Sequence, residues 1–258
     1  MSIDDRRREV MKLLAAQGSV QVSELGRRLG VSEMTVRRDL DQLEREGYLR
    51  RTHGGAVLGP AVTVERPFAE RAENMIAEKQ LIGETAARMI DSGDTIILDA
   101  GTTTLQIATQ LVRREKLLVV TTSLPHAAKT VSLPWASTLL VGGLLKPIEL
   151  CCVGPTVEKA LTDLHADTVF LSASGVDVRH GVTETDMREG YVKRAMVEAA
   201  RRVILVVDHT KFGNVSFFHV VGLDRVQCIV TDVGVDPEDV EQIRQLGVEV
   251  VVCETPPR

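Results

Sequence analysis

Aromatic residues are scarce in this 258-residue chain, with one Trp, two Tyr and five Phe, so aliphatic side chains must build most of its core. Its four cysteines, Cys151, Cys152, Cys228 and Cys253, show neither CxxC spacing nor a neighbouring histidine. That argues against a zinc site or a disulfide framework and leaves them as reduced core residues. No metal and no cofactor is expected. No run approaches the roughly 18 apolar residues a membrane span needs, and the charged first ten residues lack the apolar core of a secretion signal. The expectation is a cytoplasmic protein with no membrane partner.

What is present is ordinary globular composition, 44% hydrophobic and 26% charged, at a length that allows a small domain plus a medium one. The net charge of −5 conceals an asymmetry. Residues 1–58 hold 11 Lys/Arg and 9 Asp/Glu, for +2; the other residues hold 20 and 27, for −7. A mildly basic module on an acidic body points to an anionic partner at the N-terminal end.

Val10, Leu13 and Leu14 recur at helical spacing after Asp4 and Asp5, and Gly18 stops that helix. A second short helix is predicted over 23–29, with Leu25 and Leu29 inward and Gly30 breaking it. Ser32 caps a third, whose Val36, Leu40 and Leu43 fall at i, i+4 and i+7, and Gly47 ends it. Residues 48–57 read as two short strands around Gly54-Gly55. Three helices and a β-ribbon make a winged helix-turn-helix.

A helix meant for the major groove packs one face on its own domain and offers donors on the other. Here the free face and first turn carry Ser32, Met34, Thr35, Arg37 and Arg38, with Ser23 on the preceding helix. Arginine bridges guanine O6 and N7 or clamps a phosphate. Arg50, Arg51, His53 and Gly54 on the ribbon are placed for backbone or minor-groove contact. Asp39 and Asp41, on the same helix, are expected to orient arginines or to sit clear of the DNA backbone.

Residues 59–71, with Pro60 and Pro67, read as a linker. Beyond it the texture changes to apolar runs, at 95–98, 117–120, 138–141, 169–171, 203–207, 228–230 and 248–252. Amphipathic stretches at 77–90, 103–113 and 187–201 lie between them. Strands apolar throughout, alternating with helices, imply a parallel sheet covered on both faces. Small and hydroxylated turns follow several of these strands: Asp99 to Thr104, Thr121 to Ser123, Gly142-Gly143, Ser172 to Gly175, and Asp208 to Gly213. They collect at the carboxyl edge of one sheet, where open α/β folds bind ligands. Glycine admits close approach, and threonine hydroxyls with free helix N–H groups suit an anion, above all phosphate. Lys211 is the candidate counter-charge, with Asp99 and Asp208 for sugar hydroxyls.

The motifs Leu25-Gly-Arg-Arg-Leu-Gly-Val-Ser32, Thr35-Val-Arg-Arg-Asp-Leu40, Leu43-Glu-Arg-Glu-Gly47 and His53-Gly-Gly-Ala56 resemble the DeoR/GlpR family of transcriptional regulators, and the resemblance extends over essentially the whole chain. It implies a DNA-binding domain at 1–58, a linker at 59–74 and a sensor domain at 75–252, the last similar in fold to ribose-5-phosphate isomerase. It implies repression of sugar or polyol genes, relieved by a phosphorylated sugar or related metabolite. The effector residues it implies are Asp99, Gly101, Thr102, Thr103, Thr122, Ser123, Gly142, Gly143, Gly175 and Lys211. Thr122 stands where asparagine is common in the family. No catalysis is expected. The alternative is a sugar-phosphate isomerase fused to a DNA-binding module, for which Asp99, Glu184 and Asp186, the latter two in a polar loop, are the candidate bases. One winged helix buries too little to select a genomic site, so a homodimer or homotetramer is expected.

Overall fold

A computed structural model describes residues 6–7, 9–10, 13–14, 19–45, 49–52, 54–58, 67–111 and 115–253. The chain forms two compact units, Met1–Glu65 and Arg66–Arg258. No helix among the described residues is long and apolar enough to cross a membrane.

In the first unit, Arg6, Arg7, Glu9, Val10, Leu13 and Leu14 are helical. Strand Ser19–Gln21 (β1), helices Val22–Leu29 (α1) and Glu33–Arg45 (α2), and strands Leu49–Thr52 (β2) and Gly55–Leu58 (β3) follow. Val10, Leu14, Leu25, Val36, Leu40 and Leu43 share one core, as their spacing requires. Gly30 ends α1 in the left-handed conformation and returns its N–H to Gly26 O. The ribbon is a three-stranded sheet in the order β1-β3-β2. Its third member, β1, was not expected: three residues are too few to show periodicity. β1 also explains the second ribbon glycine, since a Cβ on Gly55 would lie 2.0 Å from Val20 O. His53 lies outside the described residues, as do Gly18, Gly47 and the side chain of Arg50.

The second unit begins with helices Phe68–Glu73 (α3) and Ile76–Ala87 (α4). The first stands where the composition reads as linker. Pro67 opens it, and Phe68 is buried, which a single apolar residue among charges does not reveal. Strands Thr95–Leu98 (β4), Leu117–Thr121 (β5) and Ala136–Leu140 (β6) alternate with helices Thr102–Gln110 (α5) and Leu124–Thr130 (α6). A hairpin of Leu144–Lys146 (β7) and Cys151–Val153 (β8) leads to helix Pro155–Thr162 (α7) and strand Ala166–Leu171 (β9). Next come Gly175–Asp177 (β10), Gly181–Glu184 (β11), helix Met187–Glu198 (α8), Ala200–Val206 (β12) and Phe218–Val221 (β13). Cys228–Asp232 (β14), helix Pro237–Gln245 (α9) and Glu249–Cys253 (β15) complete it.

All seven predicted apolar runs enter one sheet, ordered β15-β14-β12-β9-β4-β5-β6 and parallel throughout. One face packs Ile96, Leu98, Phe170, Ile204 and Val230 against Ile82 of α4 and Ile107 of α5. The other packs Ile97, Val169, Leu205 and Ile229 against Val192 and Met196 of α8 and Ile243 of α9. Each such side chain contributes about 1.5–3 kcal/mol on full burial. The helix predicted over 187–201 ends at Glu198, because Ala200 already pairs with Ala166 of β9. The antiparallel sheet β10-β11-β13 and the β7–β8 hairpin have strands of only three or four residues and left no readable pattern. All four cysteines are buried and free.

Candidate functional site

The first surface is built on α2. Val36 and Leu40 are wholly buried, which turns Arg37 and Arg38 outward and leaves Met34 61% exposed. Ser32 starts the helix: its Oγ accepts from Thr35 N at 3.2 Å and lies 2.9 Å from Thr35 Oγ1. Arg37 faces Glu33 one turn away at 3.6 Å, both half exposed, a pair worth little. Arg38 has no carboxylate partner among the described residues. Ser23 is exposed at the start of α1, and Gly54 is exposed with φ 100°.

The acidic residues of α2 do orient arginines. Asp39 is buried and accepts from Arg6 Nε at 2.5 Å and Arg7 Nε at 3.4 Å. Asp41 pairs with Arg51, whose Nε also donates to Gly55 O at 3.1 Å and whose guanidinium reaches Arg37 O at 3.3 Å. Arg51, expected at the DNA backbone or minor groove, therefore also ties the ribbon to α2.

The second surface is the carboxyl edge of the seven-stranded sheet. Chain order runs from β4 to β5 on one side and returns through β9 on the other, so the topological switch lies between β4 and β9. Asp99, ending β4, meets Ser172, ending β9, there. Its Oδ1 accepts from Ala100 N at 2.8 Å; its Oδ2 accepts from Ser172 N at 2.9 Å, Ser172 Oγ at 2.6 Å and Lys193 Nζ. Three of those four donors fall on Oδ2, which is fully engaged, and one on Oδ1. Asp99 thus holds the switch point together and keeps only Oδ1 to accept from a sugar hydroxyl. Burial works to raise its pKa, but Lys193 and the Ser172 hydrogen bonds outweigh it and hold it low. Gly101 serves this same junction, since a Cβ there would sit 2.7 Å from Ser172 Oγ.

Lys193, 2% exposed, also faces Glu184 Oε2 at 3.3 Å. Burial alone would depress the lysine, yet Asp99 and Glu184 push its pKa above the ordinary value. Glu184 is a buried strand residue fixed by Ser174 and by Thr185 N at 2.8 Å, not part of a solvated loop. Asp186 caps α8 and binds Arg188, with Lys146 at 3.1 Å. His126 is buried between Ser123 Oγ at 2.7 Å and Thr104 Oγ1 at 3.0 Å. Thr104 donates its hydroxyl proton to Asp99 O or Gly101 O, so it accepts from Nε2–H and leaves Nδ1 to accept from Ser123. Burial depresses this imidazole to about 4, with Asp99 opposing.

The other face of the same edge is less committed. Gly101 offers α5 no side-chain cap. Thr102, Thr103 and Thr122 are 5%, 7% and 1% exposed, and their hydroxyls have no hydrogen bond among the described residues. Lys211 follows the short turn capped by Asp208, which accepts from Thr210 N at 3.1 Å. It has no carboxylate partner among the described residues. Lys79 of α4 belongs here too: burial lowers it to about 8, with Asp208 opposing and Lys211 and Arg71 reinforcing. Its Nζ donates to Arg71 O and Asn74 O, both at 2.6 Å, and Arg71 pairs with Glu149. Phe68 N donates to Ile148 O at 2.9 Å. The first helix after the linker is thereby pinned to the sensor unit.

Neither Lys79 nor Lys193 was foreseen. The signal was a charge on an apolar helical stripe, Lys79 with Ile82 and Ala86, Lys193 with Met196 and Val197. Gly142 and Gly143 follow β6 exposed, whereas Gly175 is buried where a Cβ would meet Asn214 O at 2.3 Å, so it packs a loop rather than opening a site. A groove of about 570 Å³ lined by Arg179, His180, Phe217 and His219 shares no residue with this edge. No metal-binding group of His, Cys, Asp or Glu is present among the described residues.

An exposed recognition helix with a wing, joined to an α/β unit with a polar sheet edge, defines a DNA-binding transcription regulator with a small-molecule sensor domain. Residues 6–59 match the DeoR-like helix-turn-helix domain and residues 74–233 the DeoR C terminal sensor domain. The chain belongs to the DeoR family of transcriptional regulators. It is 36% identical over 250 residues to the uncharacterized HTH-type transcriptional regulator YulB of Bacillus subtilis, covering 97% of this chain and 96% of that protein. It is 33% identical to the regulator GlpR of Haloferax volcanii, covering 96% of each, and 32% identical to the glycerol-3-phosphate regulon repressor of Escherichia coli, covering 90% and 92%. These relatives are named as regulators, not isomerases. Among solved structures it is similar to ribose 5-phosphate isomerase from Plasmodium falciparum, at 14% identity and TM-score 0.39 over 54% of this chain and 53% of that one.

Proposed function

We propose that the protein, as a homo-oligomer, represses genes of sugar or polyol use and leaves its operator when a phosphorylated sugar or related metabolite occupies the α5 face of the sheet edge. The observation that carries this is the uncapped first turn of α5, with its buried, unengaged Thr102 and Thr103 hydroxyls, on a chain whose Lys211 lacks a carboxylate partner among the described residues. Such a turn takes a phosphate through N–H groups and hydroxyls. Thr122 and Ser123 follow β5, Gly142 and Gly143 follow β6, and Asp208 remains for ligand hydroxyls. The ligand class is supported by the name of one relative, the glycerol-3-phosphate regulon repressor of Escherichia coli.

On the DNA side, Arg37, Arg38, Met34 and Thr35 read the major groove, and Ser23, Ser32, Arg50, His53 and Gly54 meet the backbone. A ligand releases DNA only by binding the non-binding arrangement more tightly. A coupling of about 1–3 kcal/mol weakens the operator complex about 5–150-fold. Lys79 is the natural start of that route, since it feels the charges of Asp208 and Lys211 while its Nζ holds the carbonyls of Arg71 and Asn74. The experiment is a gel shift on DNA flanking the protein's own gene, repeated with a panel of phosphorylated sugars. Retardation reversed by one of them supports the reading, and a shift indifferent to every one removes the effector.

A further inference from the structure

Between Val131 and Val157 the chain has only two charged residues, Lys146 and Glu149. Both are buried, 7% and 2% exposed, and both are neutralised within the sensor unit, Lys146 by Glu189 and Asp186 and Glu149 by Arg71. What this stretch shows to solvent is uncharged, and its large exposed side chains are aliphatic. Leu139, Leu140, Leu144, Leu145, Ile148 and Leu150 are 37% to 65% exposed.

These side chains are neighbours through the backbone. β6 runs into Val141, whose N–H binds Thr121 O at 2.8 Å, and Gly142-Gly143 turns the chain into β7. Leu145 pairs with Cys152, whose N–H binds Thr122 O at 2.9 Å, and Leu150 O accepts from Leu124 N at 2.9 Å. β6 is also the outermost strand, so one row of its backbone groups has no ladder partner. Edge strands are usually guarded by charge or proline, and β6 itself has neither. At the opposite edge, β15 opens on the exposed Glu249.

We propose that β6 and the β7–β8 hairpin form the surface on which a second copy of this chain docks. The inference deepens the reading of an operator-bound oligomer by naming its interface. A fully exposed aliphatic side chain presents roughly 120 Å² of apolar surface. Scaled by their exposures, the six residues together with Leu124 and Val131 offer roughly 450 Å² in all, divided between the two sides of the β6–β7 edge because neighbouring strand residues point to opposite faces, so a partner would cover it edge-on. That is the apolar share, somewhat over half, of the roughly 800 Å² each partner hides in a standard interface. The absence of exposed charge matches the core of such an interface, and a self-complementary patch closes naturally about a two-fold axis, as paired half-sites demand. Other exposed apolar residues of the sensor unit, such as Ile76, Met187 and Val233, are scattered along the chain, and Val215 and Phe217 sit among Arg179, His180 and His219, whose polar side chains suit a solvated groove instead.

The test is sedimentation velocity on the full chain at micromolar concentration, comparing wild type with a Leu139→Glu, Leu144→Glu double variant, with thermal melting as the folding check. The double variant should fall to half the wild-type mass or less, while Phe217→Glu keeps it. Operator affinity in the double variant should fall by at least about 100-fold, the loss expected when two modules cease to be linked. Mixing it with a Leu139→Lys, Leu144→Lys variant should restore assembly, which a misfolded chain does not do. Wild-type mass retained by both double variants, or dissociation by Phe217→Glu alone, overturns the surface. A wild type that sediments as a single 28.2 kDa chain overturns the oligomeric reading as well.

Discussion

His126 couples the candidate site to stability in a way that pH exposes. Its folded pKa is about 4 against an ordinary 6.5, because the imidazole is buried. Between those values the unfolded chain holds a proton that the folded chain does not, so stability falls as pH drops from 6.5 towards 4. A gap of about 2.5 units at about 1.4 kcal/mol each, less the half-titration at pH 4 itself, comes to about 3 kcal/mol lost between pH 7 and pH 4. His126→Gln removes the titrating group while keeping a donor and an acceptor for Thr104 and Ser123. Urea unfolding midpoints of wild type and variant at pH 7, 5.5 and 4 provide the assay. The variant should be less stable at pH 7, yet lose about 3 kcal/mol less than wild type on going to pH 4. Asp99, whose pKa is depressed, supports the fold down to lower pH and loses its contribution only below the ordinary carboxylate value, in both proteins alike. Equal acid losses in the two proteins would refute the assignment of a neutral, buried imidazole.

Lys193→Met leaves Asp99 and Glu184 buried without their counter-charge and should cost about 3–5 kcal/mol in urea unfolding; a loss under 1 kcal/mol would mean the pair is not what holds the switch point. Arg37→Ala and Arg38→Ala should each weaken operator binding by about 1–3 kcal/mol in fluorescence anisotropy, with an unchanged melting curve. Unchanged binding in both would remove α2 from the DNA interface. Gly55→Ala forces a methyl group towards Val20 O, so the β1-β3-β2 sheet should loosen and operator affinity fall while the sensor unit's melting transition stays in place. A variant that binds and melts like wild type would contradict the close approach of β1.

The sheet was legible because parallel strands buried on both faces must be apolar at every position, and runs such as 95–98 and 203–207 are. The small domain was legible because Val36, Leu40 and Leu43 repeat at helical spacing behind a Ser32 cap. Strands of three residues such as β1, β7 and β10 carry too few side chains for any period, and α3 hides in a Pro-containing charged stretch. At the sheet edge, the turns themselves were readable from Gly101-Thr102-Thr103 and Thr122-Ser123. Which of them stay open was not. Asp99 is paired with Lys193, a residue 94 positions away, and Lys79, on a helix that precedes the sheet, feels the charges of Asp208 and Lys211. Such pairings are set by tertiary packing, and the only trace of them in the chain is a lysine on an otherwise apolar stripe.

In the mechanism we propose, a phosphorylated sugar held at the α5 face with Lys211 loosens the grip of α2 on DNA. The decisive experiment is an anisotropy titration of a labelled operator, with and without the active sugar phosphate, on wild type and on Lys211→Ala. Operator affinity should be about 5–150-fold weaker with ligand in wild type, whereas Lys211→Ala should match unliganded wild type and no longer respond. Full induction in Lys211→Ala, or a wild-type affinity that no sugar phosphate changes, would contradict this mechanism.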